Sequence, residues 1–325
     1  MKALVCRDYG PLAQLRIEDV PAPALEPGAV RIRLRMASIN PPDVLMPQGR
    51  YQVRPPVPFV PGVEGMGEVA EVGAGVQGLA AGDRVMSYPG WGCFADEVVA
   101  PVQRVHKVPA RMDDRAAAGF VLVYGTAYHA VVDCGQLAAG QDLVVLGASV
   151  GIGLCAIQIG KALGARVIAV ASTAEKLETC RAHGADALIN SREQDLTAAI
   201  RAATGGRGAD VTLDIIGGEV TEAALRAIKP YGRHLIAGYA TGVIPMIKGN
   251  LVLLKQAQVV GVSYRLLLER TPERANAVVE QLCRLWEQGK LHPVVSAEYP
   301  LEQAVQALEL VGAGKAIGKV VLRIA

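Results

Sequence analysis

The sequence predicts an α/β protein of two lobes, one built on a doubly wound parallel sheet and the other rich in β-strand. Three features carry that expectation. A chain of 325 residues exceeds what one ordinary hydrophobic core organises. From Leu143 onward, short apolar runs alternate with helical stretches, the pattern of a sheet covered on both faces. Before about residue 120, short strands are punctuated by Gly and Pro, as in Val30-Arg31-Ile32-Arg33-Leu34-Arg35 with its strict apolar and charged alternation.

The strands of the second lobe are read at 143–146, 166–171, 187–190, 211–216 and 234–239, with a further strand at 259–263 and a charged helix near 273–288. Gly164 and Gly184 stand where helices end in a left-handed cap. The tail, including Lys319-Val320-Val321-Leu322, again reads as strand and is expected to rejoin the first lobe. The domains are therefore set at 1–122, 123–258 and, back in the first lobe, 259–325.

Composition narrows the function classes. With 51% hydrophobic and 20% charged residues, the chain has the balance of a packed globular protein. Basic and acidic residues nearly cancel, 33 against 31, and no Lys/Arg cluster is interleaved with aromatics, so a small-molecule partner is favoured over nucleic acid. The six cysteines, at 6, 93, 134, 155, 180 and 283, form no CxxC pair. That is neither a disulfide framework nor a metal knuckle, and a reducing cytoplasm is expected. The N-terminus opens on a strand-like Lys2-Ala3-Leu4-Val5 rather than a signal peptide. The uncharged span Leu143 to Gly160 has the length of a membrane helix, yet its four glycines, Ser149 and Gln158 divide it into strand, turn and helix. No membrane span is expected.

That strand, turn and helix is the context a dinucleotide fingerprint needs. Leu143-Val144-Val145-Leu146 runs into Gly147-Ala148-Ser149-Val150-Gly151-Ile152-Gly153. Small residues let the backbone approach a pyrophosphate, and the helix N-terminus offers free N–H groups to its charge. The strict G-x-G-x-x-G is not met, because Ala148 and Val150 take the first two glycine places and Gly153 alone is retained. A glycine-rich turn without a ligand is the bland alternative, and the regular βα units that follow argue against it. The second strand bears on which dinucleotide. An NAD site places an acid about twenty residues on to hold the ribose hydroxyls, whereas Ala171-Ser172-Thr173-Ala174-Glu175-Lys176 stands here. Ser172, Thr173 and Lys176 suit a 2′-phosphate and favour NADPH. Glu175 is either an ordinary first-turn helix residue or a displaced ribose ligand.

Pro61-Gly62-Val63-Glu64-Gly65-Met66-Gly67-Glu68-Val69, Val72-Gly73-Ala74-Gly75-Val76, Gly82-Asp83-Arg84-Val85 and Gly205-Gly206-Arg207-Gly208-Ala209-Asp210-Val211 closely resemble the medium-chain dehydrogenase/reductase superfamily, and most of all its zinc-free quinone oxidoreductase and enoyl reductase branch. The resemblance covers essentially the whole chain. It implies a GroES-like catalytic domain joined to a Rossmann domain that binds NADPH, and a homodimer paired through the last strand of the nucleotide domain. Zinc-dependent relatives carry Cys where Asn40 stands and His where Val63 stands, and a four-cysteine lobe where only Cys93 is found, so the resemblance implies no metal.

Site residues follow from the same resemblance. Asn40 and Tyr51 are implied as the catalytic pair, Tyr51 polarising a carbonyl or supplying a proton. Read structurally, Tyr51 is a half-buried loop aromatic and Asn40 caps a turn before two prolines. Asp43 is expected to be an architectural hydrogen-bonder. The cofactor is expected to touch Thr126, the turn Ala148-Ser149-Val150-Gly151-Ile152-Gly153, then Ser172, Thr173 and Lys176, and also Ser191, Gly238, Tyr239 and Asn250. Relatives often carry Tyr where Ser191 stands. The expected activity is hydride transfer from NADPH to a quinone or other conjugated carbonyl. The alternatives are an enoyl-thioester (acyl-CoA) reductase and a non-enzymatic, crystallin-like NADPH-binding protein.

Overall fold

A computed structural model describes residues 1–314 and 316–325. They fall into two compact units, Met1–Leu122 with Pro293–Ala325, and Val123–His292. The first unit opens with β1 (Lys2–Val5), β2 (Arg16–Asp19), β3 (Ala29–Ile39), the short helix α1 (Pro41–Leu45), β4 (Glu64–Val72), β5 (Arg84–Ser87), β6 (Glu97–Pro101), β7 (Val105–Lys107) and α2 (Asp114–Ala118).

The chain continues through α3 (Val121–Tyr128) and a π-helical segment (His129–Cys134) into β8 (Asp142–Leu146), α4 (Gly151–Ala162), β9 (Arg166–Ala171), α5 (Ala174–Ala182), β10 (Ala187–Asn190), α6 (Leu196–Ala203), β11 (Ala209–Asp214), α7 (Glu219–Ala227), β12 (Ile228–Ile236), α8 (Gly249–Lys255), β13 (Gln258–Gly261), α9 (Tyr264–Arg270) and α10 (Pro272–Glu287). After His292 it re-enters the first unit as β14 (Val295–Pro300), α11 (Ala304–Gly312) and β15 (Lys319–Arg323).

In the first unit, β14-β15-β3-β4-β5-β7 form one sheet, with β6 also on β3. The alternation read in β3 has its physical cause in this sheet. Val30, Ile32 and Leu34 are buried while Arg33 and Arg35 are exposed, because successive side chains leave opposite faces of a strand. β15 pairs antiparallel with β3, Val320 against Ile39 and Leu322 against Ala37. The tail thus rejoins the first lobe as expected.

In the second unit all strand pairs are parallel, in the order β10-β9-β8-β11-β12-β13. Helices cover both faces of such a sheet, which is why its strands read as unbroken apolar runs. Val144, Leu146, Ile168, Val170 and Ile189 pack with Leu196 and Ile200 of α6 and with Ala224 and Ala227 of α7. Each fully buried Val, Leu or Ile contributes about 1.5–3 kcal/mol. Gly164 and Gly184 close α4 and α5 at φ of 79° and 101°, the left-handed caps expected of them.

Several sequence boundaries differ. β11 spans Ala209–Asp214 rather than 211–216, β12 spans Ile228–Ile236 rather than 234–239, and β13 spans Gln258–Gly261 rather than 259–263. At the starts of β11 and β12 the cause is a register shift between Ala209 and Val211 and a left-handed Tyr231 (φ 63°) inside β12, which make Lys229-Pro230-Tyr231-Gly232 look like a turn. Gly238 and Tyr239 therefore follow the fifth strand instead of ending it. The second unit also runs to His292, not 258, because β13 pairs with β12 and α10 buries Val278, Val279 and Leu282 within that unit. Among the described residues no helix is long and apolar enough to cross a membrane.

Candidate active site

The strand order of the second unit reverses between β8 and β11, and in such sheets a ligand lies outside the carboxyl ends of the strands at that switch point. The predicted turn is there, directly after β8. Its helix α4 begins at Gly151, and the N-cap Val150 offers no side-chain acceptor. The N–H groups of Gly151, Ile152 and Gly153 are first-turn donors with no partner inside the helix. Gly153 is required by space. A Cβ at this position would lie 2.4 Å from the Gly147 oxygen and 2.6 Å from the Ala148 oxygen, so only glycine lets α4 start this close to β8. Ala148 and Ser149 are buried beneath the turn, and Val150, Gly151 and Ile152 are partly exposed above it. The geometry fits the pyrophosphate of a dinucleotide.

Beside the turn, β9 ends at Ala171 and the next residues open α5. Thr173 is its N-cap, the hydroxyl oxygen accepting the Lys176 N–H at 3.4 Å. Ser191 follows the adjacent β10, its hydroxyl donating to the Ala171 carbonyl at 3.3 Å. Ser172, Thr173, Lys176 and Ser191 thus gather at one corner of the sheet edge. Gly238 and exposed Tyr239 lie in the loop beyond β12. Thr126 is buried in α3, which the Tyr124 hydroxyl ties to Gln158 of α4 at 2.9 Å. Asn250 is exposed in the first turn of α8.

One residue at this edge escaped the sequence reading. Asp214 ends β11 at the switch point, accepts the Ile216 and Gly217 N–H groups at 2.9 Å each, and pairs with buried His234 at 3.4 Å. Burial alone would raise its carboxyl, but His234, Gly217 and Thr221 outweigh that and hold it below the usual carboxylate range. The signal was an acid set between Leu213 and Ile215 within the apolar run 211–216.

The first unit holds a buried polar cluster. β3 delivers Ser38 and Asn40, β4 begins at Glu64, and β15 begins at Lys319; the sheet register sets Ser38 opposite both Glu64 and Val321. Glu64, 1% exposed, accepts from the Ser38 hydroxyl at 3.1 Å, the Asn40 amide at 3.0 Å, the Lys319 ammonium at 3.3 Å and the Leu122 N–H at 2.9 Å. Lys319 also donates to Asn40 Oδ1 at 2.6 Å and to the Ile39 carbonyl at 3.1 Å. Asn40 gives its amide hydrogens to Glu64 and to the Ser38 carbonyl (3.2 Å), so both are committed inside the cluster. Asp43, buried, accepts N–H groups from Asn40 (2.8 Å), Gly62 (3.1 Å) and Val63 (2.8 Å), the architectural part expected of it. Burial pushes its carboxyl up to about 7 against the pull of these hydrogen bonds and of Lys319.

Tyr51 is half-buried in the loop after α1. It lies near this cluster, because burial first and then Tyr51, Glu64 and Asp43 push the hydroxyl of buried Tyr88 above its ordinary value. Among the described residues no three His, Cys, Asp or Glu side chains are placed to hold a metal ion.

Comparison with known proteins agrees with this architecture. Residues 26–110 match the alcohol dehydrogenase GroES-like domain, and residues 151–282 match the model described as zinc-binding dehydrogenase. A quinone oxidoreductase-like protein 2 homolog of Nematostella vectensis is 33% identical over 99% of this chain and 88% of its own length. A solved NAD-dependent alcohol dehydrogenase superposes with a TM-score of 0.90 at 32% identity, covering all of both chains. The structure of Escherichia coli quinone oxidoreductase complexed with NADPH superposes with a TM-score of 0.92 at 25% identity, again over all of both chains. With a GroES-like domain, a Rossmann sheet in the order that binds dinucleotides, and relatives matched along almost their whole length, the chain belongs to the medium-chain dehydrogenase/reductase superfamily.

Proposed function

We propose that the chain is an NADPH-dependent reductase that works without zinc and passes a hydride to a quinone or other conjugated carbonyl. The observation that carries this is the corner beside the dinucleotide turn, where Ser172, Thr173 and Lys176 follow β9 and Ala171 stands where an NAD site places its acid. The relative complexed with NADPH supports it.

When bound, the nicotinamide supplies the hydride chemistry. The protein's residues bind and polarise. The first-turn N–H groups of α4 receive the pyrophosphate charge, and the Ser172 hydroxyl and Lys176 ammonium hold the 2′-phosphate. Tyr51 donates to the carbonyl oxygen on which negative charge develops. Asn40, expected as its catalytic partner, is assigned here to positioning, since both its amide hydrogens are taken by Glu64 and Ser38. The zinc-free reading is supported by Lys319, whose ammonium lies 2.6 Å from Asn40 Oδ1. The ammonium engages the Asn40 carbonyl at the position where zinc-dependent relatives carry their cysteine, and a neutral amide so held replaces the thiolate that a zinc site uses.

The resemblance to an NAD-dependent alcohol dehydrogenase favours a second reading of the cofactor. Steady-state assays with a quinone panel and with crotonyl-CoA, each run with NADPH and NADH, test both. Quinone turnover with NADPH is expected; preference for NADH, or turnover of crotonyl-CoA alone, overturns the proposal. Lys176→Ala isolates the cofactor choice. A charge-assisted contact contributes about 1.5–3 kcal/mol, so NADPH binding should weaken by roughly ten- to a hundredfold while NADH changes little. Equal weakening of both would return Glu175 as the ribose ligand.

We further propose a homodimer. Among the described residues β13 lies at the edge of its sheet, paired with β12 alone, and near it in sequence Ile244, Met246, Leu253 and Leu254 are all at least 72% exposed. A second copy related by two-fold symmetry covers such an edge with its own.

A further inference from the structure

The segment His129–Cys134 is π-helical, and a π turn winds with more residues per turn than an α-helix. Residues i+4 and i+5 therefore both return beneath residue i. Asp133 and Cys134 use this to meet His129 from one side of the segment. Asp133 Oδ2 lies 2.9 Å from His129 Nδ1, and Cys134 Sγ lies 3.6 Å from His129 Nε2. Asp133 also pairs with Arg274 of α10, whose guanidinium lies 6.0 Å from the centre of the Tyr128 ring.

Burial draws the imidazole of His129 down, but its hydrogen bonds to Asp133 and Cys134 outweigh that and hold it at about 9, so it is protonated at neutral pH. With Nδ1–H given to the carboxylate, Nε2–H is aimed at sulfur. Arg274 and His129 supply two positive charges and Asp133 one negative charge. That leaves net positive charge beside Cys134 Sγ, the setting that promotes attack by sulfur on an electron-poor carbon. The other cysteines lack this setting. Cys6, Cys93, Cys155 and Cys180 are buried, and Cys283, the other partly exposed one, is pushed up to about 11 by burial and by Glu287 and Glu280.

We propose that Cys134 is a nucleophilic site that adds to α,β-unsaturated carbonyl compounds, with His129 as its proton partner and Asp133 and Arg274 orienting the imidazole. The sulfur electron pair forms a bond to the β-carbon as the C=C pair shifts onto the carbonyl oxygen; the α-carbon then takes a proton from His129 Nε2, and the proton the thiol gives up replaces it on His129. The product is a thioether, with no change in the number of electrons or protons overall. None of these residues belongs to the dinucleotide edge or to the cluster of Asn40, Glu64 and Lys319, so the site stands whether or not the chain is a quinone reductase.

The test uses the intact chain without cofactor, treated with substoichiometric N-ethylmaleimide and followed by peptide mass spectrometry. In the wild type, Cys134 should be modified at least about tenfold faster than Cys283. His129→Gln and Asp133→Asn should slow Cys134 by about tenfold and leave Cys283 unchanged. Comparable rates at the two cysteines in the wild type overturn the proposal, and so does a Cys134 rate that ignores His129→Gln. A rise in the Cys283 rate marks a variant that has lost its fold, and the wild-type ratio then decides.

Discussion

Lys319 occupies a place that few lysines tolerate. Its ammonium is enclosed at the junction of three strands and is held there by Glu64, Asn40 and the Ile39 carbonyl. A buried pair of this kind contributes little over an apolar pair of the same volume, yet breaking it strands a charge. Lys319→Met should therefore cost about 3–5 kcal/mol in urea unfolding, and adding Glu64→Gln should recover a large part of it. Additive losses in the double variant would show that the two residues are not coupled. This cluster was not legible in the sequence. Lys319 and Glu64 are 255 positions apart, and each opens a strand whose remaining residues look unexceptional. Asp43 was legible, because an acid shortly after Pro-Pro has few other uses than capping the turn it sits in.

At the scale of elements, the tightest fit is between β8 and α4. Gly153→Val puts side-chain atoms against the backbone oxygens of Gly147 and Ala148, which cannot swing aside. Overpacking costs about 1–3 kcal/mol, and here it also displaces the first-turn N–H groups from the turn. Thermal unfolding should shift down and dinucleotide affinity, followed by fluorescence titration, should fall further than stability does. Unchanged affinity would move the cofactor away from this turn. Elements such as β8, β9 and β10 could be read from the sequence nearly to the residue, since burial on both faces leaves an uninterrupted apolar run. β12 could not, because its first half carries Lys229, Pro230 and an exposed Tyr231 around a bulge. α10 was grouped with the returning tail from residue 259 onward, while the spaced Val278, Val279 and Leu282 that bind it to the second unit carried the truer signal.

For the whole molecule, the exposed apolar residues around α8 and the edge of β13 set the expected assembly. Light scattering at micromolar concentration should give a mass near twice the 34.1 kDa of the chain. Leu253→Glu combined with Leu254→Glu should return it to a single chain, and a wild-type mass of one chain would remove the dimer. The placement of β15 between β14 and β3 has a different kind of consequence, one of timing. A ribosome releases the chain in order, so Val123–His292 emerges as one continuous stretch and can fold while translation continues. The first unit cannot. Its strands β3 to β7 leave the ribosome early, with Met36–Ile39 of β3 lacking the partner that β15 later provides and Glu64 lacking the Lys319 that neutralises it, until more than two hundred further residues have been added. The half that is made first is finished last, and throughout that interval its open strand is the part of the nascent protein most in need of a chaperone.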